Sequence, residues 1–514
     1  MTHEDVAEQL ELLPRTPAPL TLGELESHLW GAAQILRGLI DQADFKSYIF
    51  PLLFFKRICD VYLEEFQEAL DESGGNTTFA SYADQHRFDI PHEHMWHKVV
   101  EAKDEALGQA LATALREIEK ANPDTLAGIF GDTPWTNKDR LPAKVLRQLL
   151  NHFSGRHLGN SVVEADLLGQ AYEYLIKKFA DLSNKKAGEF YTPREVVRLL
   201  VDILDPQKGE TVYDPTCGTG GMLIEVVHHF VRRKDDPKYL RAKMFGQEKN
   251  LTTSGIARMN LFLHGVEDFY IERGDTLRDP KFLDQDALRQ FNCVIANPPF
   301  SLQAWGEEDW GNDLFQRGLT GVPPRRSADF AWVQHMIASM SRDEGRAAVV
   351  LPQGALFRGG AEGKIRDKIV ESDVIEAVIG LGTNLFYGTS LAACILVLRH
   401  DKPAGRKRQV LFVNAADQFR KGRNQNTLED QHVSRIHGWY RAFANIAGRS
   451  RLVDLAEIHD NGGSLNIPLY VAEDTRANFA PLVEAVASLE GALADVAMTE
   501  DALRRQLKEW ELLG

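Results

Sequence analysis

Residues 291–300 read FNCVIANPPF. Cys293, Val294 and Ile295, flanked by Asn292 and Ala296, place a β-branched pair at the centre of a short apolar run, which predicts a buried strand. Two prolines cannot continue a ladder, so the strand stops there and leaves an amide, a carbonyl and an aromatic ring at its carboxyl end. That is the edge at which open α/β sheets bind ligands. Taken alone, NPPF is equally a turn, because Asn-Pro commonly starts one.

A second motif upstream decides between the two. In residues 210–230, ETVYDPTCGTGGMLIEVVHHF, Thr211, Val212 and Tyr213 predict a strand that Asp214-Pro215 ends. Gly218, Thr219, Gly220 and Gly221 form a tight turn, and 222–230 continue as a helix. This is not the dinucleotide fingerprint, since Leu223 stands where its third glycine belongs. A pyrophosphate is poorly placed beside Asp214, whereas a cationic ligand bearing an ammonium and a sulfonium is matched by it.

The pattern then repeats. Residues 243–248 predict a second strand with Glu248 at its carboxyl end, where nucleotide binders place a carboxylate for ribose hydroxyls. A helix over 251–263, a strand over 269–271 and the turn Gly274-Asp275-Thr276-Leu277 follow. Asp214, Glu248 and Asp275 thus end successive strands ahead of NPPF. Before them all, in GEFYTPRE, Thr192 predicts a helix cap with Pro193 at the first helical position and Glu195 in the first turn. Phe190 and Tyr191 either staple that helix or wall a ligand pocket.

Downstream, residues 301–327 are a long loop ending in Pro323-Pro324-Arg325-Arg326, which is either disordered or, if the substrate is DNA, ordered over it with Arg325 and Arg326 as candidate phosphate contacts. Strands over 347–351, 374–379, 394–398 and 410–413 complete a mostly parallel sheet of seven or slightly more strands, with antiparallel pairing late in the chain. Phe386 and Tyr387 either border the pocket or pack in the core. The basic run Arg420, Lys421 and Arg423 reads as a solvated face.

Ahead of the sheet, residues 1–20 carry Pro14, Pro17 and Pro19 without periodicity and form a loose arm. Helical spacing then dominates 21–162: Leu25, Leu29, Ala32, Ala33, Leu36 and Leu39, then Phe45, Ile49, Leu52, Phe55, Ile58 and Tyr62, with Pro51 kinking or restarting the second helix. Further helices are predicted over 101–120 and 142–153. His92, His94 and His97 lie close together but lack accompanying ligand spacing, so a solvated loop or helix start is favoured and no metal is assigned. Residues 163–472 form the catalytic domain. In 473–514, Leu482, Val486, Leu489, Leu493, Val496, Leu503, Leu507 and Trp510 recur at alternating fours and threes, broken at Glu500, and this seam requires a partner.

With 514 residues the chain is long enough for two or three domains. Its net charge of −15 excludes broad unaided gripping of nucleic acid, so a DNA-directed function requires a basic partner. The sequence has no membrane-length apolar run, and MTHEDVAEQL lacks a signal-peptide core, so a cytoplasmic location is expected. Cys59, Cys217, Cys293 and Cys394 are too scattered for a metal and read as reduced thiols.

DPTCGTGG followed by NPPF, with FYTP ahead of both, resembles the N6-adenine DNA methyltransferases in their gamma order. LWGAAQILRG, LLFFKRICD, GEFYTP and NLFYGTSLAACILVL further resemble the modification subunit of type I restriction-modification systems, over roughly residues 20 to 470. Thr216 stands where that family often has Ala. The resemblance implies an α/β, Rossmann-like S-adenosylmethionine-dependent methyltransferase sheet with an all-α N-terminal domain and a C-terminal helical tail. It implies that Glu189, Phe190, Tyr191, Thr192, Pro193 and Arg194 cover the cofactor. Asp214, Thr216, Gly218, Thr219, Gly220 and Gly221 would line its methionine end, Glu248 the ribose, and Asp275 and Thr276 the adenine ring. Asn297, Pro298, Pro299 and Phe300 would be catalytic, acting on an adenine flipped from duplex DNA. Implied partners are a specificity subunit shared by two copies of this chain and, in some systems, a restriction subunit. A protein-glutamine or RNA methyltransferase shares the NPPF chemistry and stands as the alternative. A scaffold that keeps the fold, and recognition of a DNA site without a partner, are the other competitors.

Overall fold

The computed structural model describes residues 19–182, 192–266, 268–386, 389–423, 425–471 and 482–509. Its main helices in the amino-terminal part are α1 (Leu22–Leu36), α2 (Phe45–Glu72), α3 (Leu107–Ala121), α4 (Ala143–Ser154) and α5 (Ala165–Leu182). Thr21 and Glu24 close a capping box at the start of α1, which buries Leu25, Leu29, Ala32, Ala33 and Leu36. Leu39, which continues that spacing, lies past the helix end and is 53% exposed.

Helix α2 does not restart at Pro51 but continues through it. A proline at 51 leaves the Ser47 carbonyl without its helical donor. The Thr133 hydroxyl donates to that carbonyl instead, at 2.7 Å. One turn on, Lys56, Arg57 and Asp60 are buried. Arg57 donates to the Leu158 and Val163 carbonyls, while Asp60 accepts the Leu158 N–H at 2.7 Å, so this polar set anchors the segment that leads into α5. The helix predicted over 101–120 begins six residues later, as α3, and a separate short helix, Trp96–Glu101, precedes it.

The remaining main elements are α6 (Arg194–Leu204), β1 (Val212–Asp214), α7 (Gly221–Arg232), β2 (Met244–Glu248), α8 (Leu251–Leu263), β3 (Phe269–Arg273), the small hairpin β4 (Leu283–Asp284) and β5 (Ala287–Leu288), β6 (Cys293–Ala296), α9 (Asp329–Ser339), β7 (Arg346–Pro352), α10 (Gly360–Glu371), β8 (Ile375–Leu381), β9 (Ala393–Arg399), β10 (Gln409–Ala415), α11 (Asp430–Ala442), β11 (Ser450–Asp454) and α12 (Leu482–Glu509). Among the described residues, nine strands form one sheet in the order β11-β10-β8-β9-β7-β6-β1-β2-β3. Strands β3, β2, β1, β6 and β7 are parallel. β9 inserts antiparallel between β7 and β8, which is the late reversal expected from the sequence.

One face of the sheet packs against α6, α7 and α11, the other against α9 and α10. The helical core takes in α5 together with Ile256, Met259, Phe262 and Leu263 of α8, so α8 packs into both units. All four cysteines are buried free thiols. Among the described residues no helix is long and apolar enough to cross a membrane.

Candidate functional site

The chain leaves β1 toward β2 and β3 on one side and returns to β6 on the other, which makes the β1/β6 junction the topological switch point of the sheet. Tyr213 pairs with Val294 and Asp214 with Gly246. Glu248 and Asn297 therefore both stand two residues beyond the level of Asp214, on the strands that flank it. At about 3.3 Å per residue this forms a cup about 7 Å deep with Asp214 at its floor. Asp275 follows β3 two residues after Arg273, which pairs with Glu248.

The floor is built for close approach. Gly218 and Gly220 have φ of +53° and +82°, a region that disfavours other residues, and Gly220 caps the start of α7. The turn is pinned on several sides: the Gly218 N–H donates to Glu248 Oε2 at 3.2 Å, Asn260 Nδ2 to the Thr219 carbonyl at 3.0 Å, and the Thr276 hydroxyl to the Pro215 carbonyl at 2.6 Å. Asp214 is 1% exposed and accepts the Thr216 N–H at 2.9 Å. Burial pushes its carboxyl up to about 7; the Thr216 N–H opposes that rise and the nearby Glu248 adds to it. A cation placed beside it would restore the charged form.

Asn297 forms the rim. Its Nδ2 donates to Thr192 Oγ1 at 2.6 Å, and its Oδ1 is buried without a hydrogen-bond partner. A bare buried acceptor costs about 1–3 kcal/mol, which a donor on the ligand would recover. Thr192 therefore does not cap α6: Pro193 occupies the cap position, and no side chain bonds the helix start. Phe300 meets Phe386 edge-on, with ring centroids 5.8 Å apart.

The model of the N-6 DNA methylase family matches residues 163–478, more than half of the chain. The chain belongs to the N-6 DNA methylase family. The HsdM N-terminal domain model matches residues 25–153 of the helical unit. This methylase is 34% identical over 474 residues to the type I restriction enzyme MjaVII methylase subunit of Methanocaldococcus jannaschii, covering 88% of this chain and 78% of that one. It is 30% identical over 384 residues to the HindI methylase subunit of Haemophilus influenzae, covering 72% and 81%. Its fold is similar to the crystal structure of the type I restriction-modification methyltransferase subunit from Streptococcus thermophilus, with a TM-score of 0.76, 30% identity, and 88% and 100% of the two chains covered.

Not every predicted site residue of the methylase gathers at the cup. Glu189, Phe190 and Tyr191, like Tyr387, lie outside the described residues. Arg194 turns away, with Nε 4.0 Å from Glu225 and Nη2 3.5 Å from His228 Nδ1. Thr276 is 3% exposed with its hydroxyl committed to Pro215, so it shapes the turn from behind. Asp275 pairs with Lys249 at 2.9 Å.

Other residues brace the chain around the cup without any signal in the motifs. Asp329, 1% exposed at the start of α9, accepts the Ser301 N–H at 2.7 Å and pairs with Arg358 at 3.0 Å, which fixes the chain just beyond Phe300. Residues 301–327 are ordered around Trp305 and Trp310, which pack with Trp332 and Leu277. Arg317 is buried under Trp310 and donates to the Thr276 and Leu277 carbonyls at 3.0 and 2.9 Å, tying this lobe to the Asp275 turn. Arg325 and Arg326 are exposed on it.

Proposed function

We propose that this chain is a DNA adenine N6-methyltransferase that uses S-adenosylmethionine and acts as the modification subunit of a type I restriction-modification complex. The observation that carries the reading is the buried, unpartnered Asn297 Oδ1 two residues above the level of Asp214. Three features of the cup fit the cofactor: a desolvated carboxyl at Asp214, a glycine turn open to close approach, and Glu248 where a ribose would lie. Bound there, S-adenosylmethionine supplies an electrophilic methyl group.

The adenine exocyclic amine is a weak nucleophile, because its lone pair is delocalised into the ring. Hydrogen bonds from its two protons to Asn297 Oδ1 and the Pro298 carbonyl favour an sp3-like nitrogen with its lone pair aimed at the cofactor. No general base is needed to start the attack, in which the methyl–sulfonium bond would break as the methyl–nitrogen bond forms, and the methylated nitrogen would then lose one proton to solvent. Pro298 and Pro299 stiffen this acceptor pair, and Phe300, braced by Phe386, stacks on the base. Extracting that base from a duplex costs a few kcal/mol, which the stacking and the two hydrogen bonds offset.

An acidic chain needs help to hold DNA, and the exposed apolar seam of α12 supports docking to a specificity subunit, with two copies of this chain per complex and a restriction subunit joining in some systems. The test is transfer of labelled methyl groups by the assembled complex, offered duplex DNA, RNA and protein in parallel. Wild type should label adenine in DNA alone, and Asn297→Ala should abolish labelling while cofactor affinity stays within about threefold. Persistent transfer by that variant, or labelling of RNA or protein instead, would overturn the reading.

A further inference from the structure

Helices α5 and α7 and the carboxyl-terminal cap of α8 meet where the helical unit joins the sheet, and each contributes one side chain there. Asp166, His228 and His264 each offer a ligand atom within 4.8 Å of the other two. We propose that these three groups form a binding site for one divalent transition-metal ion of the zinc type.

His264 carries the argument. It is 8% exposed, and its Nδ1 lies 2.9 Å from the Asn260 carbonyl. A carbonyl only accepts, so Nδ1 holds the ring proton and Nε2 presents its lone pair. That Nε2 is buried and has no hydrogen-bond partner. A neutral imidazole oriented through one nitrogen by a backbone carbonyl, with the other nitrogen bare, is how proteins prepare a histidine for a metal. Space for the ring is made by Gly169 of α5, where a Cβ would come within 2.6 Å of three ring atoms.

The other two groups are spaced for an ion. His228 Nε2 stands 3.7 Å from Asp166 Oδ1, too far for a hydrogen bond. Neighbouring ligands of a tetrahedral zinc, at bonds of about 2.0–2.1 Å, lie roughly 3.3 Å apart. Asp166 Oδ2 accepts from Gln170 at 2.8 Å, which leaves Oδ1 turned to the histidine. Two imidazoles and one carboxylate suit zinc better than calcium or magnesium, which prefer oxygen.

All three residues line a cleft of about 910 Å³, whose lining includes none of Asp214, Glu248 and Asn297, and the cleft supplies an entry path and a fourth ligand from water. An ion here would clip α5 of the helical unit to α7, whose first residue follows the glycine turn.

The test uses the full-length chain stripped with a chelator and titrated with Zn2+ and, as a spectroscopic probe, Co2+. One equivalent should bind per chain, Co2+ should give the visible bands of a tetrahedral site, and Zn2+ should raise the melting temperature. Asp166→Ala and His264→Gln should each weaken binding at least about tenfold. The Asp166 side chain is 62% exposed, so its variant tests the site without opening the core. Absence of stoichiometric binding in wild type, or equal binding by wild type and Asp166→Ala, would overturn the proposal. Neither readout depends on methyl transfer.

Discussion

Asn297 Nδ2 donates to Thr192 Oγ1 at 2.6 Å across 105 residues of chain, so the segment just ahead of α6 sets the orientation of the Asn297 amide. With the NH2 group held there, the oxygen faces the other way, as the proposed contact to the adenine amine requires. Thr192→Val keeps the shape but removes the acceptor, and the amide loses its fixed direction. The expected result is a fall in kcat of about 10–100-fold with KM for S-adenosylmethionine unchanged, restored by Thr192→Ser. A matching rise in KM would instead place Thr192 on the cofactor.

Asp214 gives the site a pH signature. Its carboxyl titrates near 7 in the folded chain because it is buried, against about 3.9 when unfolded. Between those values the folded state binds more protons than the unfolded one, so stability falls as pH rises through that window. Asp214→Asn removes the titration. The variant should melt above wild type at pH 8 and lose that advantage near pH 4. The same proton must leave before the carboxylate can pair with the ammonium of S-adenosylmethionine, so wild-type affinity should rise with pH up to about 7 and then level off. Calorimetry across that range checks both, and a flat wild-type binding profile would contradict the assignment of Asp214 to the cofactor.

What could be read from the chain was what depends on local pattern. Strand-end acids, the glycine turn and the NPPF stop are contiguous, and each carries its own backbone constraint, so β1, β2, β3 and β6 and their terminal residues were legible. The helix does not restart at Pro51, and the group that serves the carbonyl its missing N–H leaves open, the Thr133 hydroxyl, lies 82 positions away and has no local mark. Thr192 looked like a cap for the same reason: its bond to Asn297 exists only after β6 is in place. β11, SRLVD, mixes Arg, Leu and Asp at a sheet edge and so shows no clear alternation. The lobe over 301–327 reads as a loop because its order comes from Arg317 and three tryptophans meeting the Asp275 turn, contacts that no periodicity announces.

That lobe presents Arg325 and Arg326 to solvent, and the Arg325 side chain is 76% exposed with only a 3.4 Å pairing to Glu307. Exposed pairs of this kind contribute little to stability. The double substitution Arg325→Ala, Arg326→Ala should therefore leave the melting temperature unchanged. In the assembled complex it should weaken DNA binding for every sequence alike and reduce the slope of log affinity against log salt by about 0.9 per lost phosphate contact. An unchanged salt slope would remove both arginines from the DNA surface.

Helix α12 runs for 28 residues, about 42 Å at 1.5 Å per residue. Val486, Leu489, Leu493, Val496 and Leu503 along it are between 44% and 63% exposed. Burying a leucine is worth about 1.5–3 kcal/mol, so a seam of this length left in solvent fits the proposed docking to a specificity subunit. Since these side chains add nothing to the core of their own chain, Leu489→Glu with Leu493→Glu should not shift its melting temperature. The pair should nevertheless abolish co-purification with the specificity subunit, as should deletion of residues 476–514. DNA methylation would then fall because the acidic methylase is no longer delivered to DNA, while cofactor binding by the isolated chain stays intact. Assembly that survives both changes would move the docking surface off this helix.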